Sequence, residues 1–362
     1  MKFRADQNNC KLIGRTLSQN DILWCGPSGS GIAFRAEAKR LAIRLAGDGN
    51  VDGDNTEGPA RIGVFVNGER VADMVMTKPD CRILVWEEEA VRTADVEVLK
   101  LSECAMSVIG IAAIETEESG RIVPQEPRPH RIEFIGDSIT CGFGVDLEKP
   151  DTEFDTRTED FTKTYAYKTA RLLDADYSVV AYSGYGVLSG FTDNGTRNTL
   201  GILPPLYDKT GFSYSQIGDK RLEEAEWEFD RFRPQAIVIN LGTNDASYCG
   251  MDEEKQKEFQ KLYAEFLRHV RIKNPDSCIL GVVGTMGTGM CRAVAEAVEQ
   301  YRAETGDLRV DALALPEQLP EDGLVTGNHP TERTHEKVAR LIAGRLKTWQ
   351  PEERSGCTRA AV

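Results

Sequence analysis

The chain contains no Cys-x-x-Cys pair, and its nine cysteines lie scattered through 362 residues. That spacing excludes a zinc ribbon or a dithiol redox motif and reads as reduced thiols rather than a disulfide frame. No stretch approaches the roughly 18 consecutive apolar residues that a membrane helix needs. Met1 to Arg15 mixes Lys, Arg, Asp and Asn with no apolar segment, so no secretory signal is read there and a cytoplasmic location is expected. Positive charge is in deficit: 44 Lys and Arg face 58 Asp and Glu, a net charge of −14. Like charge then argues against nucleic acid, anionic membranes and polyphosphates as partners, while a neutral ligand such as a sugar stays admissible. Histidine is scarce, with His130, His269, His329 and His335 the only four. No internal repeat is visible.

What is present is an ordinary globular balance, 40% hydrophobic and 28% charged, in a chain long enough for two domains. Residues 1–118 read as short strands with little helical periodicity: 31–38, 41–45, 61–66, 69–75, 96–101 and 108–114. Asn67-Gly68 between two of them is a strong hairpin signal. Such a series suggests a β-sandwich, and the polar, proline-bearing stretch 119–129 reads as a linker. From residue 130 the pattern alternates. Strands are expected at 131–135, 178–182, 236–241, 278–283 and 309–315, and helices at 163–174, 252–273, 290–304 and 333–347. Alternation of this kind predicts an α/β domain, a parallel sheet flanked by helices, over 130–350. The acidic loop Asp146–Asp160 reads as solvated surface with Thr156 and Glu159 spaced as a capping box, although it directly follows the Gly-Asp-Ser turn and so can border a site. Residues 351–362 lack periodicity and read as a vector-derived tail.

Chemistry-bearing residues cluster at the ends of the expected strands. The run Phe134-Ile135-Gly136-Asp137-Ser138 ends a strand on a turn that leaves a serine at the carboxyl edge of the sheet, where open α/β sheets bind ligands. Ser138 there is a candidate nucleophile; Asp137 and Ser138 equally suit a helix cap. The next strand ends in Ser183-Gly184-Tyr185-Gly186, whose glycine can offer a bare N–H to the same edge. The third ends in Gly242-Thr243-Asn244-Asp245, and Asn244 can supply an amide donor. Of the four histidines, His329 stands in a Gly/Pro-flanked loop after the fifth strand, placed to act as a base. His335 suits a structural hydrogen bond at the start of the last helix, and His269 a helix surface. The His329–His335 spacing is not that of a zinc-binding His-Glu-x-x-His, so no metal site is expected.

Taken together, the four blocks resemble those of the SGNH hydrolases. The longer matches are Phe134-Ile135-Gly136-Asp137-Ser138-Ile139-Thr140-Cys141-Gly142, Ser183-Gly184-Tyr185-Gly186, Ile239-Asn240-Leu241-Gly242-Thr243-Asn244-Asp245 and His329-Pro330, and these look like carbohydrate esterase family 2. The resemblance implies an SGNH-type parallel sheet preceded by a small jelly-roll-like β-sandwich, and a serine esterase that removes O-acetyl groups from xylan- or mannan-type oligosaccharides without a cofactor. By position it makes Ser138 the nucleophile, His329 the general base and then acid, and the Ser138 N–H, the Gly184 N–H and the Asn244 side chain the oxyanion donors. One departure stands out. Many SGNH hydrolases carry an aspartate three residues before the histidine, and here that position is Thr326. Asp322 is the nearest upstream acid and a possible third triad member; a backbone carbonyl orienting His329 in a Ser-His dyad is the other solution.

A lipase or thioesterase of the same superfamily would share these residues, and a non-catalytic carbohydrate-binding protein would keep the architecture. Because every catalytic block follows Pro129, the chemistry itself is expected not to need the N-terminal strands.

Overall fold

The structure is a computed structural model that describes residues 1–49, 51, 58–147, 149 and 152–349. The tail 351–362 and residues 148, 150 and 151 of the acidic loop lie outside the described residues.

The N-terminal part is built from β1 (Lys2–Phe3), β2 (Lys11–Ile13), β3 (Thr16–Gln19), β4 (Ile22–Cys25), β5 (Gly31–Gly47), β6 (Arg61–Val66), β7 (Glu69–Val75), β8 (Asp80–Lys100), β9 (Ile109–Thr116) and β10 (Arg121–Pro124). All ten join one antiparallel sheet whose main path is β3-β4-β9-β5-β8-β6-β7. The sheet curls round its own apolar core, which contains Ile32, Phe34, Ile43, Ile62, Val64, Trp86 and Val96. The two expected pieces 31–38 and 41–45 are one strand, β5. It bends where its register with β8 shifts, between Ala38 and Arg40 and again between Leu41 and Ala42; such bulges bend a strand so that it can serve both layers. Asn67 and Gly68 form the expected two-residue turn between β6 and β7, both with left-handed φ (52° and 85°). β10, inside the stretch expected as a linker, pairs antiparallel with β5.

The second part contains five parallel strands, β11 (His130–Gly136), β12 (Ala175–Ala181), β13 (Ala236–Asn240), β14 (Cys278–Val283) and β15 (Val310–Ala314), in the order β12-β11-β13-β14-β15. Two short helices follow strand ends directly: α1 (Ser138–Cys141) after β11 and α3 (Thr243–Cys249) after β13. The longer helices are α2 (Tyr165–Leu172), α4 (Glu253–Lys273), α5 (Cys291–Thr305) and α6 (Glu332–Thr348). An antiparallel ribbon of β16 (Leu324–Val325) and β17 (His329–Pro330) precedes α6. The five strands and four long helices fall within a few residues of their expected positions, because each carries its own apolar periodicity.

In this order the chain passes from β11 to β12 on one side and then crosses back past β11 to β13 on the other. The topological switch point therefore lies at β11, and a crevice opens there at the carboxyl ends.

The two parts share their cores. Ile13, Ala33, Phe65, Leu99 and Leu101 pack in one cluster with Phe134, Ile139, Phe161 and Tyr165 of the second part. Arg15, fully buried, donates to Glu133 on β11 at 3.0 Å and to the Lys209 carbonyl at 2.7 Å, and its guanidinium lies over the rings of Tyr207, Trp227 and Phe229. Glu133 in turn accepts from Tyr207 Oη and Ser178 Oγ. This network satisfies a buried charge pair with hydrogen bonds on both sides, the condition under which such a pair is tolerated.

Candidate active site

β11 delivers Ser138 to the switch point. Gly136 closes the strand where a Cβ would sit 2.1 Å from Thr140 Oγ1, so only glycine lets α1 start that close to the sheet. Asp137 caps α1, its Oδ1 accepting the Ile139 N–H at 3.0 Å. The helix-cap reading of Asp137 and the placement of Ser138 at the edge, where it is largely buried, therefore hold together: the cap fixes the turn that presents the hydroxyl. Thr140 Oγ1 and Tyr165 Oη share a 2.7 Å hydrogen bond that ties α1 to α2.

The β16–β17 ribbon brings in His329. Gly327 and Asn328 at its tip both have left-handed φ, 60° and 59°, and the tight turn places the Thr326 carbonyl beneath the imidazole. His329 Nδ1 lies 3.1 Å from Thr326 O, and Nε2 lies 2.7 Å from Ser138 Oγ. A carbonyl can only accept, so Nδ1 carries the proton and Nε2 accepts from the serine hydroxyl. Phe143 lies tilted against the ring at 4.4 Å between centroids, and Phe154 from the acidic loop stacks on Phe143 at 3.6 Å. Burial under this apolar cover pushes the His329 pKa down to about 4, against smaller upward pulls from the Thr326 and Gly327 backbone. The imidazole is neutral at pH 7, the state a general base requires.

Gly184 and Asn244, the candidate donors of the other two blocks, follow strands that end at the same edge. Gly184 has φ +82°, strained for any side chain, and open space where a Cβ would stand. Asn244, buried at the start of α3, donates through Nδ2 to the Tyr185 carbonyl at 2.8 Å and reaches Asp137 Oδ2 at 3.3 Å. The second contact is long for an N–H···O bond, so that amide hydrogen is weakly held. Asp245, the last residue of its block, accepts the N–H groups of Val187, Leu188 and Ser189 and so fixes the loop that follows Gly184. Burial, the largest influence on each carboxyl, pushes Asp137 up to about 7 and Asp245 to about 6.

Ser138, His329, Gly184 and Asn244 are thus brought to one carboxyl edge. Asp322 is not. Its carboxylate pairs with Lys337 at 2.5 Å, and Thr326 O occupies the place behind His329 that a triad carboxylate would take. His335 is structural: buried at the start of α6, its Nδ1 accepts the Tyr165 N–H at 3.1 Å. His269 on α4 bonds Asp208 at 2.8 Å.

Two expectations change. The capping box at Thr156 and Glu159 does not form; Asp155 caps that turn, and Glu159 instead accepts the Glu103 N–H at 2.7 Å. Thr156, Glu159 and Asp160 are fully buried rather than solvated, while Phe154 reaches the site mouth. The N-terminal part also reaches the site, because Glu103 accepts the Ser183 N–H at 2.9 Å, one residue from Gly184. Sequence reasoning missed Glu103, Phe143 and Phe154. Only the aromatics next to the Gly-Asp-Ser turn offered any local hint.

A serine hydroxyl on a neutral imidazole, at the switch point of an open parallel sheet whose neighbouring strand ends carry Gly184 and Asn244, fits an acylhydrolase of the SGNH class. The chain belongs to the GDSL-like Lipase/Acylhydrolase family, whose model matches residues 134–337. It is 31% identical over 253 residues to "Cellulase/esterase CelE" of Acetivibrio thermocellus, covering 68% of this chain but 29% of that protein's length. It is 27% identical over 289 residues to an "Acetylxylan esterase / glucomannan deacetylase" of Cellvibrio japonicus, covering 76% of this chain and 75% of that protein. Among solved structures it is similar to a family two carbohydrate esterase from Clostridium thermocellum in complex with cellohexaose, with TM-score 0.80, 26% identity, and coverage of 93% of this chain and 98% of the other.

Proposed function

We propose that this chain is a carbohydrate acetylesterase that removes O-acetyl groups from xylan- or mannan-type oligosaccharides through an acetyl-enzyme on Ser138. The observation that carries the reading is the 2.7 Å contact between Ser138 Oγ and His329 Nε2, on an imidazole whose tautomer the Thr326 carbonyl dictates. Ser138 Oγ adds to the acetyl carbonyl carbon while Nε2 takes its proton. The tetrahedral oxyanion is held by the Ser138 and Gly184 N–H groups and the Asn244 amide. The bond to the sugar oxygen then breaks, and that oxygen leaves with the proton from Nε2. Water repeats the sequence on acetyl-Ser138 and releases acetate. The imidazolium formed on the way is stabilised by a carbonyl dipole rather than a carboxylate.

The sugar-ester assignment draws on the names of the relatives, one an acetylxylan esterase and glucomannan deacetylase, and on the cellohexaose complex of a neighbour. The test is hydrolysis of 4-nitrophenyl esters of increasing chain length, followed by acetate release from acetylated xylo- and manno-oligosaccharides. Turnover confined to acetyl esters, with release from the oligosaccharides, supports the proposal. A preference for long acyl chains would make the chain a lipase or thioesterase instead. Sugar binding with no turnover of any ester would make it a binding protein.

A further inference from the structure

Glu103 is a buried acid with no direct ion pair, although the buried Lys100 lies close enough for its charge to be felt. It follows β8, is fully buried, and among the described residues no lysine or arginine nitrogen lies within ion-pair distance of its carboxylate. Lys100, three residues earlier and also buried, donates to the carbonyls of Ser102 at 2.7 Å and Glu103 itself at 2.6 Å rather than to the carboxylate. One carboxylate oxygen of Glu103 accepts the Ser183 N–H at 2.9 Å; the other has no partner. Burying a carboxyl this way is costly, and an isolated unsatisfied oxygen adds to the cost. Such violations gather where function demands them.

What Glu103 holds is the turn that carries Gly184. The Ser183 N–H is its upstream anchor, and Asn244 Nδ2 on the Tyr185 carbonyl at 2.8 Å is its downstream anchor. Between the two anchors stands Gly184, with φ +82° and open space above it; a Tyr185 N–H to Tyr182 carbonyl bond at 3.3 Å and a Phe191 N–H to Gly184 carbonyl bond at 2.8 Å help shape the turn, but neither engages the Gly184 N–H. We propose that Glu103 is a positioning residue for the oxyanion hole: it fixes the Tyr182–Ser183 peptide, the entry to the turn, and so sets the direction in which the next N–H, that of Gly184, points at the reacting carbonyl oxygen. The N-terminal domain thereby completes the active site instead of only flanking it. Glu103 is itself seated by the catalytic part, since its own N–H donates to Glu159, near the end of the acidic loop after Ser138. The role calls for an acceptor and not for a charge. A glutamine therefore serves, its side-chain oxygen accepting the same N–H.

This inference rests on the proposed function, and the experiment separates the two. Steady-state kinetics on 4-nitrophenyl acetate are measured for the full chain and for Ser138→Ala, Glu103→Ala and Glu103→Gln. E103A is expected to lose about 10- to 100-fold in kcat, somewhat less than deletion of a whole oxyanion donor, with KM within about twofold. E103Q is expected to restore kcat to within about fivefold of the unaltered chain. Should E103A fail to fold, Glu103→Asp takes its place, because it withdraws the acceptor while keeping the charge, and it should lose kcat where E103Q does not. The inference is overturned if E103A or E103D keeps its kcat, if the loss appears in KM, or if E103Q falls as far as they do. If the unaltered chain and S138A are equally inert, the proposed function fails and takes this inference with it.

Discussion

The imidazole of His329 leans on the main-chain carbonyl of Thr326, 3.1 Å from Nδ1, at the position where an SGNH triad would place a carboxylate. A carbonyl fixes the tautomer as well as an aspartate does, but it offers a partial charge to the imidazolium instead of a full one. The acid nearest in sequence, Asp322, is engaged by Lys337. Asp322→Ala should therefore lower kcat by less than about tenfold, against the roughly 10⁴ of a triad aspartate, while His329→Ala is nearly inactive. A loss of several orders of magnitude in D322A with unchanged circular dichroism would place Asp322 in the mechanism after all.

Ser138→Ala should abolish acetyl release, by more than about 10³-fold, and leave the fold intact, since removing a nucleophile removes the covalent route while the Asp137 cap remains. The check is turnover of 4-nitrophenyl acetate beside a thermal melt. Retained turnover would move the nucleophile elsewhere.

Asn244→Ala should reduce kcat by about 10²–10³ with little change in KM, the effect of losing one oxyanion donor. The same amide also holds the Tyr185 carbonyl at 2.8 Å, so the variant loosens the Gly184 turn as well. A loss confined to KM would make Asn244 a residue that binds substrate in its ground state.

Burial holds the His329 pKa at about 4. The base must be neutral to accept the Ser138 proton, so protonation of the base cuts activity only when pH drops through that lowered pKa. The His329 limb of the kcat/KM profile, which reports the free enzyme, should lie below about pH 5; any smaller inflection between pH 6 and 7 belongs to the buried Asp245 and Asp137 carboxyls. Phe143→Ala admits water to the ring and should move the acidic limb back toward neutral pH. An unaltered chain already half-inactive near the ordinary histidine value of about 6.5 would contradict the buried, neutral imidazole.

Arg15→Met should destabilise the whole molecule by about 3–5 kcal/mol, because it leaves Glu133 charged and buried without its partner. Chemical denaturation followed by tryptophan fluorescence measures this. Replacing both residues with apolar ones should recover much of the loss, and an R15M variant as stable as the unaltered chain would show that the pair contributes nothing.

The positions of the parallel strands and their long helices, the Asn67-Gly68 turn, and the candidacy of Ser138, Gly184, Asn244 and His329 were all determined by the sequence alone. Each rests on a local signal: apolar periodicity within one element, turn chemistry, or a short motif at a strand's end. The partner of His329 was legible only as a choice between Asp322 and a carbonyl, because several ways of folding a glycine-bearing loop are compatible with the same residues. Tertiary structure decided for Thr326 by pairing β16 with β17 and drawing Asp322 to Lys337. It likewise made one bent strand of two expected ones, drew Phe154 to the site mouth, and carried Glu103 across from the N-terminal sheet to Ser183. Those contacts join residues far apart in the chain, and no local pattern encodes them. They exist because two apolar surfaces, neither complete alone, bury each other and bring their polar groups into register.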